Sequence, residues 1–213
     1  MYIFDDIHKK AENHFENSNG SHDWDHTNRV YKLAMHIGEK ENVDMEILKI
    51  ATVLHDIGRG YQDESKGRIC HAEKGAELAR EFLAEYKLAE DMIEKIEHCI
   101  RTHRYRGQNI PESIEAKVLF DADKLDAIGA VGIGRAFLFA GEHGAKMHNS
   151  RDVDITQTEE YTKEDTAYRE FEFKLKKIRE RMLTNEGRRL AEQRHEFMVY
   201  FFDRLNNEVD GHI

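Results

Sequence analysis

Proline occurs once in this chain, at Pro111, so little in its 213 residues interrupts a helix. Around it, stretches rich in Glu, Lys, Arg, Leu and Ala carry apolar residues at helical spacing, and 14 glycines serve the turns between them. The pattern predicts a nearly all-α protein. A chain of this length can bury one sizeable core and is short for two ordinary domains, so we expect one domain over residues 1–213.

Charge and cysteine usage narrow the function classes. A net charge of −10 argues against binding long nucleic acid, which needs a broad basic footprint to release counterions. Local Lys and Arg can still hold one phosphate group. Cys70 and Cys99 make neither a disulfide framework nor a zinc pattern. No apolar run has the length of a membrane span or a signal peptide, so a cytoplasmic protein with reduced thiols and no membrane partner is expected.

The spacing predicts a first helix over residues 3–17, with Ile3, Phe4, Ile7, His14 and Phe15 inward, ended by Asn17-Ser18-Asn19-Gly20. A second begins near His26 and carries Val30, Leu33, Ala34 and Ile37. A third starts at the N-cap Asp44, runs through Ile47, Ile50, Ala51 and Leu54 to His55-Asp56, and stops at Gly58-Arg59-Gly60. Residues 61–70 read as a loop and 71–86 as a helix beginning at His71. Over 90–104 the stripe of Met92, Ile93, Ile96, Cys99 and Ile100 includes His103, whereas His98 points away. A helix over 114–130 carries Asp121, Asp123 and Asp126, and 141–166 reads as a polar mobile loop, either lid or linker. Helical sequence returns over 167–208, with Phe171, Leu175, Ile178, Met182, Leu190, Phe197, Met198, Phe201, Phe202 and Leu205 forming a face for the core or for a homodimer. Gly129 to Gly134 lacks the strand that a dinucleotide loop requires and reads as close helix packing.

His55-Asp56 closes an apolar helix, where a carboxylate needs a partner. Joined by His26 and one of Asp121, Asp123 or Asp126, the pair makes a mixed nitrogen and oxygen ligand set with room for water, the layout of an open metal site. On the helix wheel Asp123 and Asp126 share a side with Leu119 while Asp121 lies about half a turn away, which favours Asp123 as ligand and Asp126 behind it.

These residues resemble the HD superfamily of metal-dependent phosphohydrolases, whose signature reads H…HD…D across separate helices. His26, His55-Asp56 and Asp123 match it in order, and Asp123-Lys124 matches the basic residue that follows the family's last Asp. Further stretches are similar to a subgroup of small bacterial and archaeal HD hydrolases that includes nucleoside triphosphate pyrophosphohydrolases. They are Ser21 to His26, Val53 to Arg59, His71-Ala72-Glu73-Lys74, Thr102 to Arg106, Phe120 to Gly129 and Arg194 to Met198.

The resemblance implies a single helical HD domain with a metal site among its central helices. One divalent ion, Mn²⁺, Mg²⁺ or similar with iron as an alternative, would be held by His26, His55, Asp56 and Asp123. The implied reaction is hydrolysis of a phosphoester or phosphoanhydride in a small phosphorylated substrate, above all a nucleotide. Lys124, Arg59, Arg104 and Arg106 would offset phosphoryl charge, and Asp126 or His71 would orient water or pass a proton. His71 and His103 complete the six-residue order that some HD proteins use for two metals. The short interval from Asp56 to His71, and the absence of Gly-Tyr-Pro after His103, favour phosphate-binding or proton-transfer roles for both. Two rivals stand beside this expectation: a nucleotide-sensing module without turnover, and a two-iron oxygenase with His71 and His103 as ligands. Trp24 and Tyr105 are candidates to stack on a base.

Overall fold

The structure is a computed structural model that describes residues 3–15, 24–104 and 109–213, the side chains of 14 and 15 excepted. Among them every regular element is helical. The expected turn at 17–20, the side chains of His14 and Phe15, and Tyr105 and Arg106 lie outside the described residues. The chain divides into two compact units, residues 1–123 and 124–213.

The first unit is built on α3 (Met45–Leu54), which is buried on nearly every side, as expected of a helix apolar all round. The carboxylate of its N-cap Asp44 accepts from Glu46 N at 2.9 Å and Ile47 N at 3.3 Å, a cap worth about 1 kcal/mol. Three helices pack on α3: α1 (Ile3–Phe15), α2 (Trp24–Gly38) and α6 (Glu90–Thr102). Val30, Ala34 and Ile37 of α2 and Ile96, Cys99 and Ile100 of α6 are buried without exposure, each large side chain contributing about 1.5–3 kcal/mol. On α1 the stripe is shifted from expectation: Ile7 and Ala11 are buried, whereas Ile3, in the first turn, is 46% exposed.

Between α3 and α5 (His71–Leu83) the chain departs from the expected loop. Residues Arg59–Glu64 form a short helix, α4, packed on α5. Glycines at 58 and 60 suggested only a stop, but Gly58 has an ordinary φ of −87° and is there for a different reason. A Cβ on it would lie 2.4 Å from His71 O and 2.6 Å from Gly75 N, so the chain after His55-Asp56 touches the α5 backbone directly.

The helix expected over 114–130 is broken. Helix α7 (Ile114–Asp126) ends before Gly129, whose φ of +77° suits glycine and starts α8 (Gly129–Glu142). In the second unit α8 packs on α9 (Ala167–Phe173) and α10 (Asn185–Val209), with a 3₁₀ segment, Leu175–Arg181, between the last two. Phe171 and Phe202 stack at 4.7 Å among Leu175, Ile178, Met182 and Met198. Phe197, expected on that face, is 46% exposed, because the buried stripe of α10 runs through Ala191, Met198 and Phe202 and Phe197 lies about 100° around the helix from its centre. A Cβ on Gly132 would lie 2.2 Å from Ala127 O, in the turn just before α8, whereas Gly134 faces open space, so these glycines answer to this turn and not to a neighbouring helix.

Residues 143–166 are held by their own polar contacts. Arg169, 8% exposed, bonds Asp165 Oδ1 at 2.8 Å, Thr158 Oγ1 at 2.6 Å and Thr158 O at 2.8 Å. Asn149 Nδ2 donates to Glu164 O at 2.9 Å. Such a segment is a fastened surface loop, and the expectation of mobility rested on its low hydrophobicity alone.

Candidate metal centre

Helix α3 ends one residue before His55, and a tight turn, with Arg59 N donating to Asp56 O at 2.8 Å, carries His55-Asp56 into the interior. His55 is 0%, Asp56 2%, His26 1% and His103 1% exposed. Asp56 is the hub. Its Oδ2 lies 3.8 Å from His26 Nε2 and 3.9 Å from His55 Nε2, and its Oδ1 lies 3.4 Å from His71 Nε2 and 3.5 Å from His103 Nε2. His26 Nε2 is also 3.4 Å from Asp123 Oδ1. Ligands about 2.1 Å from a shared ion stand about 3.0–4.2 Å apart, so these separations suit one cation.

Two groups bring their ligand atoms within 4.8 Å of one another: His26, His55 and Asp123, and His55, Asp56 and His103. All belong to the first unit. Asp121, though fully buried, falls in neither group.

The rings are oriented for coordination. His55 Nδ1 lies 2.7 Å from Thr52 O and His103 Nδ1 lies 2.6 Å from Ile100 O. A carbonyl only accepts, so each Nδ1 carries the proton and each Nε2 turns a lone pair inward. His55 Nε2 is buried and finds no hydrogen-bond partner among the described residues, a lone pair that suits a metal ion. Burial pushes the His55 pKa down from 6.5 to about 4, against the pull of the Asp56 charge, and keeps the ring neutral for binding. Burial likewise lowers His71, which Asp56 only partly offsets.

The His55 shift has a consequence for the metal-free protein. The unfolded chain takes up this proton near pH 6.5 and the folded one near pH 4, so the unfolded state binds more protons between them. The resulting stabilisation is fully present above pH 6.5 and is lost as pH falls through 4, about 3 kcal/mol from this group. Urea unfolding of metal-free protein at pH 7.5 and pH 4 measures it. Equal free energies at the two pH values would contradict a buried neutral His55.

The remaining candidate residues surround this cluster or lie elsewhere. His71, the first residue of α5, sits 3.2 Å from His103, Nε2 to Nε2, and its Nδ1 meets Gln62 Oε1 at 2.9 Å. Arg59 approaches Asp56 at 3.7 Å and His71 Nδ1 at 3.4 Å. Arg104 donates to the Cys70 thiol at 3.1 Å, at the N-terminus of α5. In the second unit Lys124 is 8% exposed, and the buried Asp126 carboxylate is bonded to Arg135 at 2.7 Å. Trp24 packs edge-on against His8 at 5.0 Å. Gln62 and the Cys70 anchor for Arg104 were not anticipated, since neither carries a periodic or motif signal.

Residues 23–128 match the HD domain family. The uncharacterised protein YpgQ of Bacillus subtilis is 35% identical over 194 residues, 89% of this chain and 85% of that protein. The chain belongs to the HD family. Members of known structure share its fold across nearly the whole chain. YpgQ in complex with ADP superposes with a TM-score of 0.75 and 32% identity, over 98% of both chains. An HD-superfamily hydrolase from Bacillus thuringiensis gives 0.77 and 28% identity, over 97% of this chain and 96% of that one. The all-α HD hydrolase fold is thereby established.

Proposed function

We propose that this chain is a metal-dependent phosphohydrolase acting on a nucleotide, with one divalent ion, Mn²⁺, Mg²⁺ or similar, held by His26, His55, Asp56 and Asp123. The observation that carries it is the convergence of these ligand atoms at 3.4–3.9 Å around a buried His55 Nε2 that has no hydrogen-bond partner. Nucleotide as substrate draws on the ADP complex of YpgQ. In this reading the whole chain is one domain.

A divalent ion there supplies Lewis acidity and offsets phosphoryl charge. The chain's own groups do the rest. Arg59, Arg104, Arg106 and Lys124 bind phosphate oxygens, Arg59 and Arg104 already being steered by Asp56 and Cys70. His71, aided by its neighbour His103, accepts a proton at Nε2 from attacking water and returns it to the leaving group. Asp126, whose carboxylate accepts from Arg135 at the end of α7, is the alternative group to orient water.

No helix among the described residues is long and apolar enough to cross a membrane, and both cysteines are free, in keeping with a cytoplasmic enzyme. A homodimer is compatible with the exposed Phe197 and Tyr200 of α10.

Incubation with Mn²⁺ and a nucleotide panel tests the proposal. Phosphate or pyrophosphate release that EDTA abolishes is expected. Saturable binding without release identifies a sensing module, and no response to any nucleotide overturns the substrate class. A two-iron oxygenase is the second reading, favoured only by the approach of His71 and His103 to Asp56 Oδ1. Two irons per chain, with loss of one in His103→Ala, would replace the hydrolase with it.

A further inference from the structure

The turn that begins at Lys124 is fastened from outside itself. Within it Ala127 N donates to Lys124 O at 3.1 Å and Ile128 N to Leu125 O at 3.2 Å. Carbonyls in the last turn of a helix lack the usual partner four residues on, so they take further donors from elsewhere. Here two guanidinium groups of the second unit supply them. Arg194 of α10 donates to Leu125 O, while Arg135 of α8 donates to the Asp126 carboxylate at 2.7 Å and reaches Asp126 O at 3.4 Å. Positive groups suit this end of a helix, where the carbonyls leave partial negative charge.

Arg194 reaches its carbonyl by a narrow path. Its stem crosses Gly129, where an added Cβ would lie 2.9 Å from Arg194 Cγ, 3.1 Å from its Cβ and 3.2 Å from its Cδ. These atoms are close to the α10 backbone and cannot swing aside, so glycine at 129 leaves the room that Arg194 uses. Burial lowers the Arg194 pKa, against the pull of the Asp126 charge, which places the guanidinium beside both groups that end α7. None of the roles proposed above falls to Arg194. Lys124 does have one, and a flexible four-carbon stem places its ammonium only as well as the backbone beneath it is held.

We propose that Arg194 is a positioning residue for Lys124: by holding Leu125 O it fixes the turn after α7, and with it the place from which Lys124 meets a phosphate oxygen. The part played by Lys124 rests on the hydrolytic reading above. The holding of the turn by Arg194 does not.

The test has two readouts. Amide hydrogen exchange on the full chain reads the turn directly: in Arg194→Met, which keeps the stem over Gly129 and removes the donor, Ala127 and Ile128 exchange about 10-fold faster while the middle of α10 is unchanged. Turnover reads Lys124. Arg194→Met lowers kcat/KM by about 10-fold in the wild-type background and by less than about 2-fold in Lys124→Met, because an effect that passes through the ammonium disappears with it. Arg194→Lys, which keeps the charge and one donor, falls between, and it takes the place of Arg194→Met in the same cycle should that variant not fold. Unchanged exchange at Ala127 and Ile128, or an equal fold loss in both backgrounds, as a merely structural tie would give, overturns the inference. Should no nucleotide be hydrolysed, the hydrolase reading fails, and the cycle is read in ADP affinity by calorimetry. There too a loss that persists in Lys124→Met, or no loss at all, overturns the role of Arg194.

Discussion

Asp56→Asn is expected to lower metal-dependent turnover by at least about 10³-fold, because it removes a carboxylate that faces four imidazoles and with it a charged ligand that would hold the ion. The variant should nonetheless fold. In the metal-free protein Asp56 is a 2% exposed carboxylate among rings of which at least His55 is kept neutral, an arrangement that costs stability. An Asn amide fits the same volume and donates to Nε2 lone pairs that an ionised carboxylate cannot satisfy. Metal-free Asp56→Asn should therefore unfold at a temperature equal to or above that of wild type. Added Mn²⁺ should raise the wild-type Tm, by about 2.7 kcal/mol of stability at 100 times Kd, and leave the variant unmoved. Calorimetry with and without Mn²⁺ reads both. A variant that keeps turnover, or that gains stability from Mn²⁺ as wild type does, refutes Asp56 as a ligand.

Gly58→Ala is expected to destabilise the protein by about 3 kcal/mol, lowering Tm by about 10 °C. Its new Cβ would lie 2.4 Å from His71 O, 2.6 Å from Gly75 N and 3.0 Å from Gly75 Cα, all backbone atoms that cannot turn aside. Relief requires α5 to move off the His55-Asp56 turn, taking His71 with it, so turnover should fall beyond what stability explains. Gly60→Ala supplies the contrast. Two residues on and inside α4, its Cβ meets nothing within 4 Å, and replacing a helical glycine should leave stability unchanged or raise it by up to about 1 kcal/mol. Thermal unfolding of the pair separates close approach from loss of backbone freedom. A Gly58→Ala protein as stable as Gly60→Ala would contradict the contact.

Much of the helical framework was legible beforehand because its signals are local. The Asp44 cap, the start of α5 at His71 and the inward turn of His103 each depend on residues within a turn or two, and each is found where expected. Less legible were the short helix Arg59–Glu64 and the break before Gly129, where the chain's course answers to a contact elsewhere. The closeness of Gly58 to Gly75 is such a contact, and no periodicity reports it. Arg169 shows the same limit: a polar stretch reads as mobile until the buried ion pair with Asp165 that fastens it is seen.

By itself the sequence determined that the chain is helical and that His26, His55-Asp56, His71, His103 and Asp123 stand on successive helical segments, since helical spacing is a property of neighbours along the chain. Only the tertiary structure decided that imidazoles on α2 and α5, at the end of α6 and in the turn after α3 reach one carboxylate within 3.4–3.9 Å. Those distances follow from how the helices cross when their apolar faces are buried together, a long-range result of packing. The neighbours of His71 were decided there too, because a side chain at the start of a helix meets groups outside it, here Gln62, Arg59, Asp56 and His103.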